Sequence, residues 1–162
     1  MTESWRVGVP FGLGLFLLSL LGTVPYFVAA LSDGALIAIA DGVSVVAFVL
    51  MFEAGRRAGR AAGASFGALA GGIAGFLASL AGILQHALLW ASPAYARMVA
   101  DQYGHAVLVH SLRYSSGIGA MAGIFGAVLA GTILGAGLGL IGGLIGAYLR
   151  PRGARRLEDR PA

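Results

Sequence analysis

The sequence predicts an all-α fold, a polytopic membrane helix bundle with four transmembrane helices, and three observations predict it. Hydrophobic residues make up 58% of the 162 positions and charged residues only 11%, whereas a soluble domain carries roughly a quarter charged residues. Four apolar stretches each reach the ~20 residues that a helix needs to cross a bilayer. The alternation of apolar and polar residues that marks a barrel strand is absent. Hydrocarbon offers the backbone no hydrogen-bond partner, so such stretches are expected to be helical.

The first span is expected over residues 7–31, "VGVPFGLGLFLLSLLGTVPYFVAAL", and the second over residues 35–54, "ALIAIADGVSVVAFVLMFEA". The third covers residues 64–90, and the fourth is the long apolar run 117–149. As a helix that last run reaches about 50 Å, too long for one straight crossing. Its first turns are expected to protrude on the outer side, or the helix to tilt strongly. Residues 1–149 therefore read as a single four-helix transmembrane domain. Residues 150–162, "RPRGARRLEDRPA", read as a flexible basic cytoplasmic tail.

Arginine placement sets the expected orientation. All eleven basic residues are arginine, and nine of them (Arg6, Arg56, Arg57, Arg60, Arg150, Arg152, Arg155, Arg156 and Arg160) lie before span one, between spans two and three, or after span four. Both termini are therefore expected in the cytoplasm of a bacterial cell, in a multi-pass protein of the inner membrane. A cleaved signal peptide within residues 1–30 is the competing reading. Against it, Arg6 is offset by Glu3 and the apolar stretch exceeds the usual 7–15 residues.

The 91–116 connection is the one sizeable extramembrane piece. Ser92 is placed to cap a helix with Pro93 at its first position. Tyr95, Met98, Val99 and Tyr103 are expected on one apolar side, with Arg97 and Asp101 paired at i,i+4. That pattern suits a short interfacial helix on the outer side, with Trp90 near headgroup level.

Positions 119, 123, 127, 131, 135, 139, 143 and 147 are all glycine or alanine, and positions 63, 67, 71, 75 and 79 are glycine or serine. A small residue at every fourth position carves a groove along a helix and admits a second backbone. Each glycine weakens a helix by about 0.8–1.0 kcal/mol relative to alanine, so this glycine-zipper pattern needs a compensating contact. Spans three and four run antiparallel, which sets Gly67, Gly71, Gly75 and Ser79 against Gly143, Gly139, Gly135 and Gly131. Stepping by four advances about 40° around the helix. The groove winds, a crossing near −40° is expected, and the remainder is left for span one or a second subunit.

Asp41 lies six residues into span two, where a carboxylate is costly unless paired or functional. Gln85 and His86 lie near the outer end of span three, and neighbouring spans are expected to bring the three together as a candidate intramembrane polar site. The competing reading is a structural hydrogen-bonded pair or a solvated Asp41. Glu53, three and four residues before Arg56 and Arg57, reads as an ordinary ion pair.

No cysteine is present, which excludes disulfides and thiolate chemistry. His105 and His110 are five residues apart, not the i,i+4 spacing of helical metal ligands, so no metal is expected. Ser44, Ser115 and Ser116 lack a recognisable base, and no catalytic residue or cofactor is expected. Topology accounts for the arginines without nucleic acid.

"GASFGALAGG", opening span three after a basic loop, and "ASPAYARMVADQ" after it resemble the layout of small uncharacterised four-span bacterial membrane proteins, those classed as domains of unknown function. The resemblance implies four spans and no activity. The expected function is a non-catalytic accessory or structural membrane component. Its expected partners are the lipid bilayer and a second copy or another membrane protein. The alternative is a small proton- or cation-coupled transporter or channel using the Asp41 region.

Overall fold

The computed structural model describes residues 2–27, 31–104 and 118–150. Among them there is no strand, and four helices are long and apolar enough to cross a membrane. The helices are α1 (Thr2–Leu21), α2 (Asp33–Ala62), α3 (Ala64–Trp90), α4 (Pro93–Tyr103) and α5 (Ile118–Tyr148), with a 3-10 turn at Val24–Phe27.

Two boundaries differ from the sequence expectation. Span one does not continue as α-helix to residue 31 but ends at Leu21. Thr23 tightens the chain there, with both its backbone N–H and its hydroxyl donating to the Leu20 carbonyl. Pro25 then has no N–H with which to resume an α-helical ladder. In contrast, α2 runs eight residues past the expected end at residue 54, so Arg56, Arg57 and Arg60 lie on helix rather than in a loop. Alanine and arginine are strong helix formers, and Glu53 ties the extension together. Arg56 donates to both carboxylate oxygens of Glu53 at 2.6 and 2.8 Å, and Arg57 donates at 2.9 Å. The Arg57 guanidinium also sits 5.2 Å from the centre of the Phe11 ring, a cation–π contact that ties α2 to α1.

Only Gly63 separates α2 from α3. Its backbone, at φ 101° and ψ 170°, lies in a region that is essentially closed to residues with a Cβ. Gly63→Ala should therefore cost on the order of 1 kcal/mol from backbone strain alone, since an added Cβ meets no atom within 4 Å. Thermal unfolding in detergent of this variant beside the parent measures that cost.

The central helix is α3, against which α1, α2 and α5 all pack. Its contact with α5 is the most extensive in the molecule, followed by α2 with α5. The seam has the register the glycine spacing predicts. A Cβ placed on Gly67 would lie 2.5 Å from the Gly143 Cα, one on Gly71 would lie 2.6 Å from the Gly139 Cα, and one on Gly75 would lie 3.0 Å from the Gly135 Cα. Beyond them, Gly131 faces the Ser79 hydroxyl. No side chain could stand between these backbones.

The rest of the groove is filled by α2, not by span one. Gly55 and Gly59 meet the Gly139 and Gly143 backbone, while Gly142 and Gly146 lie against the backbone at Phe52–Arg56 and Arg56–Arg60. The four-residue glycine row of α3 continues back across the turn into α2, so both arms of this hairpin offer α5 a bare face. At Gly55, Gly67 and Gly139 three backbones converge. Meanwhile α1 packs onto another side of α3, where Gly8 and Gly12 face Ala70, Ile73 and Leu77. The Ser4 hydroxyl donates to the Phe66 carbonyl.

Leu15, Met51, Ala54 and Ala74 form the buried core beside these seams. Large apolar side chains such as Leu17, Phe48, Leu129 and Ile133 point outward, as suits helices apolar enough to cross a membrane. From Met121 to Ala127, α5 is exposed, and a Cβ added at Gly123 or Gly126 would meet nothing within 4 Å among the described residues. By the register of the seam, Met121 is level with Leu89 of α3 and Ile37 of α2, so the first turns of α5 lean away from these helices rather than protrude beyond them.

At the end of the bundle away from Arg56, Arg57 and Arg60 sits α4. Ser92 caps it by accepting from the Tyr95 N–H, with Pro93 next in line. The same hydroxyl donates to the Tyr26 carbonyl, and Tyr26 donates in turn to the Leu36 carbonyl. Met98 and Tyr95 pack with Tyr26, Leu36 and Leu89, and Val99 is buried, as expected of the apolar side. The Tyr103 side chain lies outside the described residues. Arg97 and Asp101 are both exposed and form no ion pair among the described residues. Arginine N-terminal to the acid is the weaker order on a helix, and water competes for both groups.

Candidate functional site

Asp41, Gln85 and His86 do not meet as a set. Asp41 is exposed on α2, and among the described residues no hydrogen bond or ion pair joins it to Gln85 or His86. His86 turns along its own helix, where its Nε2 accepts from the Trp90 indole N–H at 2.7 Å. Trp90 also meets the Tyr95 ring edge-on, so His86 and Trp90 brace the α3–α4 corner. Residues 105–117, with His105, His110, Arg113, Ser115 and Ser116, lie outside the described residues, as do 28–30 and the tail beyond Arg150. Among the described residues no three His, Cys, Asp or Glu side chains gather as a metal site would need.

Gln85 instead reaches a feature the sequence did not single out. Between α1, α2 and α3, in the half of the bundle nearer α4, lies an open cleft of about 280 Å³. Its lining comprises Ser19 and Gly22 from α1 and the turn after it, Ala40, Val43, Ser44 and Ala47 from α2, and Ala78, Ser79, Gly82 and Gln85 from α3. Small side chains make the space, because a glycine or alanine on each helix leaves room where three rods diverge.

The hydroxyls of the cleft have a defined polarity. Ser44 donates to the Ala40 carbonyl at 3.0 Å, and Ser79 donates to the Gly75 carbonyl at 2.8 Å. A carbonyl can only accept, so the hydrogens of Ser44 and Ser79 are committed to their own helices. What these oxygens present elsewhere is lone pairs. The chain leaves α1 at this level as well, with the Leu18 and Leu20 carbonyls accepting from Gly22 and Thr23. Asp41 stands one residue beyond Ala40 and three before Ser44, hence beside the rim on the surface of α2. No lysine, arginine or aromatic residue lines the space.

A sequence signal for this cleft did exist. Ser19, Ser44 and Ser79 each lie within an otherwise apolar span, and Ser19 and Ser79 face the end of the bundle that Asp41 also occupies. Read singly, Ser79 is a packing position and Ser44 a hydroxyl without a base, since a serine can satisfy itself on the preceding turn.

Toward the opposite end the space between α1, α2 and α3 is filled, and a second, larger open groove of about 580 Å³ lies instead between α1, α3 and α5, with Trp5, Leu13, Leu69, Phe76 and Ala136 among its apolar lining. Leu15, Met51, Ala54 and Ala74 close the space between α1, α2 and α3, and the glycine backbones close the space between α2, α3 and α5. Arg56, Arg57 and Arg60 gather at that end. Arg57 lies over Phe11, and the Gly146 backbone abuts that of Arg56 and Arg60.

No protein family, curated protein or solved structure matches the chain.

Proposed function

We propose that this protein is a non-catalytic, multi-pass component of a bacterial inner membrane, with both termini cytoplasmic, acting as an accessory or structural element. The observation that carries this reading is the backbone-to-backbone locking of α5 to α2 and α3. Motions that open a pathway need helices that slide or rock. Here a displacement of α5 would separate glycine faces that no side chain could refill.

Two further features support it. The α4-side cleft is blind, because the core around Leu15 and Ala54 blocks it from the basic end. Ser44 and Ser79 beside it donate to carbonyls of their own helix, which leaves neither hydroxyl set up as a nucleophile. The gathering of Arg6, Arg56, Arg57, Arg60 and Arg150 near one end of the bundle is the charge distribution of a cytoplasmic face. Small four-span bacterial membrane proteins are the class to which this reading assigns the chain.

Reconstitution into proteoliposomes tests the reading against transport. Proton and potassium flux should stay at the level of protein-free vesicles, and Asp41→Asn should change nothing. Flux above background that Asp41→Asn abolishes would replace the accessory role with a transport role.

A further inference from the structure

We propose that the groove between α1, α3 and α5 holds one phospholipid of the leaflet on the arginine side, with its acyl chains in the groove and its phosphate at the mouth beside Trp5. This goes beyond the accessory role and does not depend on it. Leu69, Gly72 and Phe76 are three and four residues apart, so they share one face of α3. Leu69 and Phe76 are exposed while Gly72 is buried, and the missing side chain leaves a hollow between two raised ones. Ala136 of α5 borders the hollow on one side, and the exposed Trp5 and Leu13 of α1 border it on the other.

The interior offers nothing to a polar ligand. Thr132 carries the one hydroxyl of the lining, and it donates to the Val128 carbonyl of its own helix at 2.7 Å. Apart from the Trp5 indole, the other lining side chains have no polar atom. An apolar hollow left unfilled forfeits van der Waals contact. Length favours a lipid over a second copy of this chain. From Trp5 to Leu13 is about 12 Å at helical rise, close to the ~15 Å of one leaflet, half the hydrocarbon core. A crossing helix would need a face that runs through both leaflets. Width agrees, since about 580 Å³ over that length leaves a cross-section of about 50 Å², below the ~80 Å² of a helix 10 Å across.

The mouth supplies what a phosphate needs. The Trp5 indole N–H can only donate, and it has no acceptor among the described residues. Trp5 stands beside Arg6 in the first turns of α1, at the end of the bundle where Arg56, Arg57 and Arg60 also lie. Among the described residues, Glu3 and Glu53 are the only carboxylates at that end, so an anionic headgroup meets net positive charge.

The test uses the full chain in mild detergent, weighed by native mass spectrometry with dioleoyl phosphatidylglycerol or with diolein, which has the same chains and no phosphate. One phosphatidylglycerol per chain should be retained, and diolein about tenfold less, as loss of hydrogen bonds to a charged group implies. Trp5→Phe should lower retention of phosphatidylglycerol about fivefold. Gly72→Leu and Ala68→Leu each fill the groove and should lower it about tenfold or more. A Cβ on Gly72 lies an ordinary 3.6 Å from the Ala136 Cβ, and thermal unfolding confirms that each variant is folded. Gly137→Leu, where an added Cβ meets nothing within 4 Å, should leave retention unchanged. No retained phospholipid, equal retention of diolein, or full retention in both groove variants overturns the proposal. So does a dimer of the parent that Gly72→Leu converts to monomer, because a second copy then occupies the groove.

Discussion

Gly139→Leu should disrupt the bundle, lowering stability by about 3 kcal/mol or more, the upper range for overpacking a tight interior. Gly139 lies where α5 touches both arms of the α2–α3 hairpin. A Cβ there would fall 2.7 Å from the Gly71 Cα and against the Gly67 carbonyl, while the Gly139 backbone itself abuts Gly55. Those neighbours are main-chain atoms, which cannot rotate away as a side chain can. The helices must part, and the van der Waals contact that holds them in lipid is forfeited along the seam. Gly137→Leu is the matched control, two residues away on the same helix. Its added Cβ meets nothing within 4 Å, so the helix gains propensity, about 0.8–1.0 kcal/mol by the glycine-to-alanine scale. Thermal unfolding and size-exclusion profiles in detergent should separate the two variants clearly. A Gly139→Leu protein as stable as its parent would show that the seam tolerates a gap.

Adjacent glycines on α3 should respond with opposite sign. A Cβ on Gly71 would press on the Gly135 carbonyl and lie 2.6 Å from the Gly139 Cα. One on Gly72 would find its nearest neighbour, the Ala136 Cβ, at an ordinary 3.6 Å. Gly71→Ala should destabilise by about 1–3 kcal/mol. Gly72→Ala should be neutral or gain up to about 1 kcal/mol through helix propensity. The expected difference of about 1–4 kcal/mol between neighbouring single-methyl changes cannot come from composition or hydrophobicity, which are the same for both. Equilibrium unfolding in a denaturing detergent series would measure it. Equal effects at the two positions would remove the close approach as their cause.

How much of this was legible in the sequence depends on what fixes each feature. The number of spans follows from apolar length, and the pairing of Gly67, Gly71, Gly75 and Ser79 with Gly143, Gly139, Gly135 and Gly131 follows from their period in antiparallel helices. Both are properties of single segments or of one repeating pattern. The end of α2 was placed too early because Arg56, Arg57 and Arg60 were treated as loop charges, although alanine and the Glu53 pairs sustain the helix through them. That error hid Gly55 and Gly59, and with them the second seam. The break after Leu21 depended on Thr23 and Pro25, local chemistry inside a stretch that hydropathy reads as continuous.

Helix rotation was the harder problem. A membrane helix that is apolar all round carries no stripe to say which face turns inward. Nothing local to Asp41, Gln85 or His86 could therefore say that His86 would turn to Trp90 while Gln85 faced α1 and α2. The same ambiguity concealed the cleft, whose walls come from three helices and whose lining residues are individually unremarkable.

The close approach of α3 and α5 is open to a direct chemical measurement because the chain has no cysteine of its own. Gly72 and Ala136 flank the seam with Cβ positions 3.6 Å apart, within the ~3.5–4.5 Å that a disulfide spans. In the full-length protein in lipid, a Gly72→Cys/Ala136→Cys pair should therefore cross-link nearly completely under mild oxidation, whereas Gly72→Cys paired with Gly123→Cys should not. Failure of the first pair to link, or equal linking of both, would mean that the two helices do not share this seam.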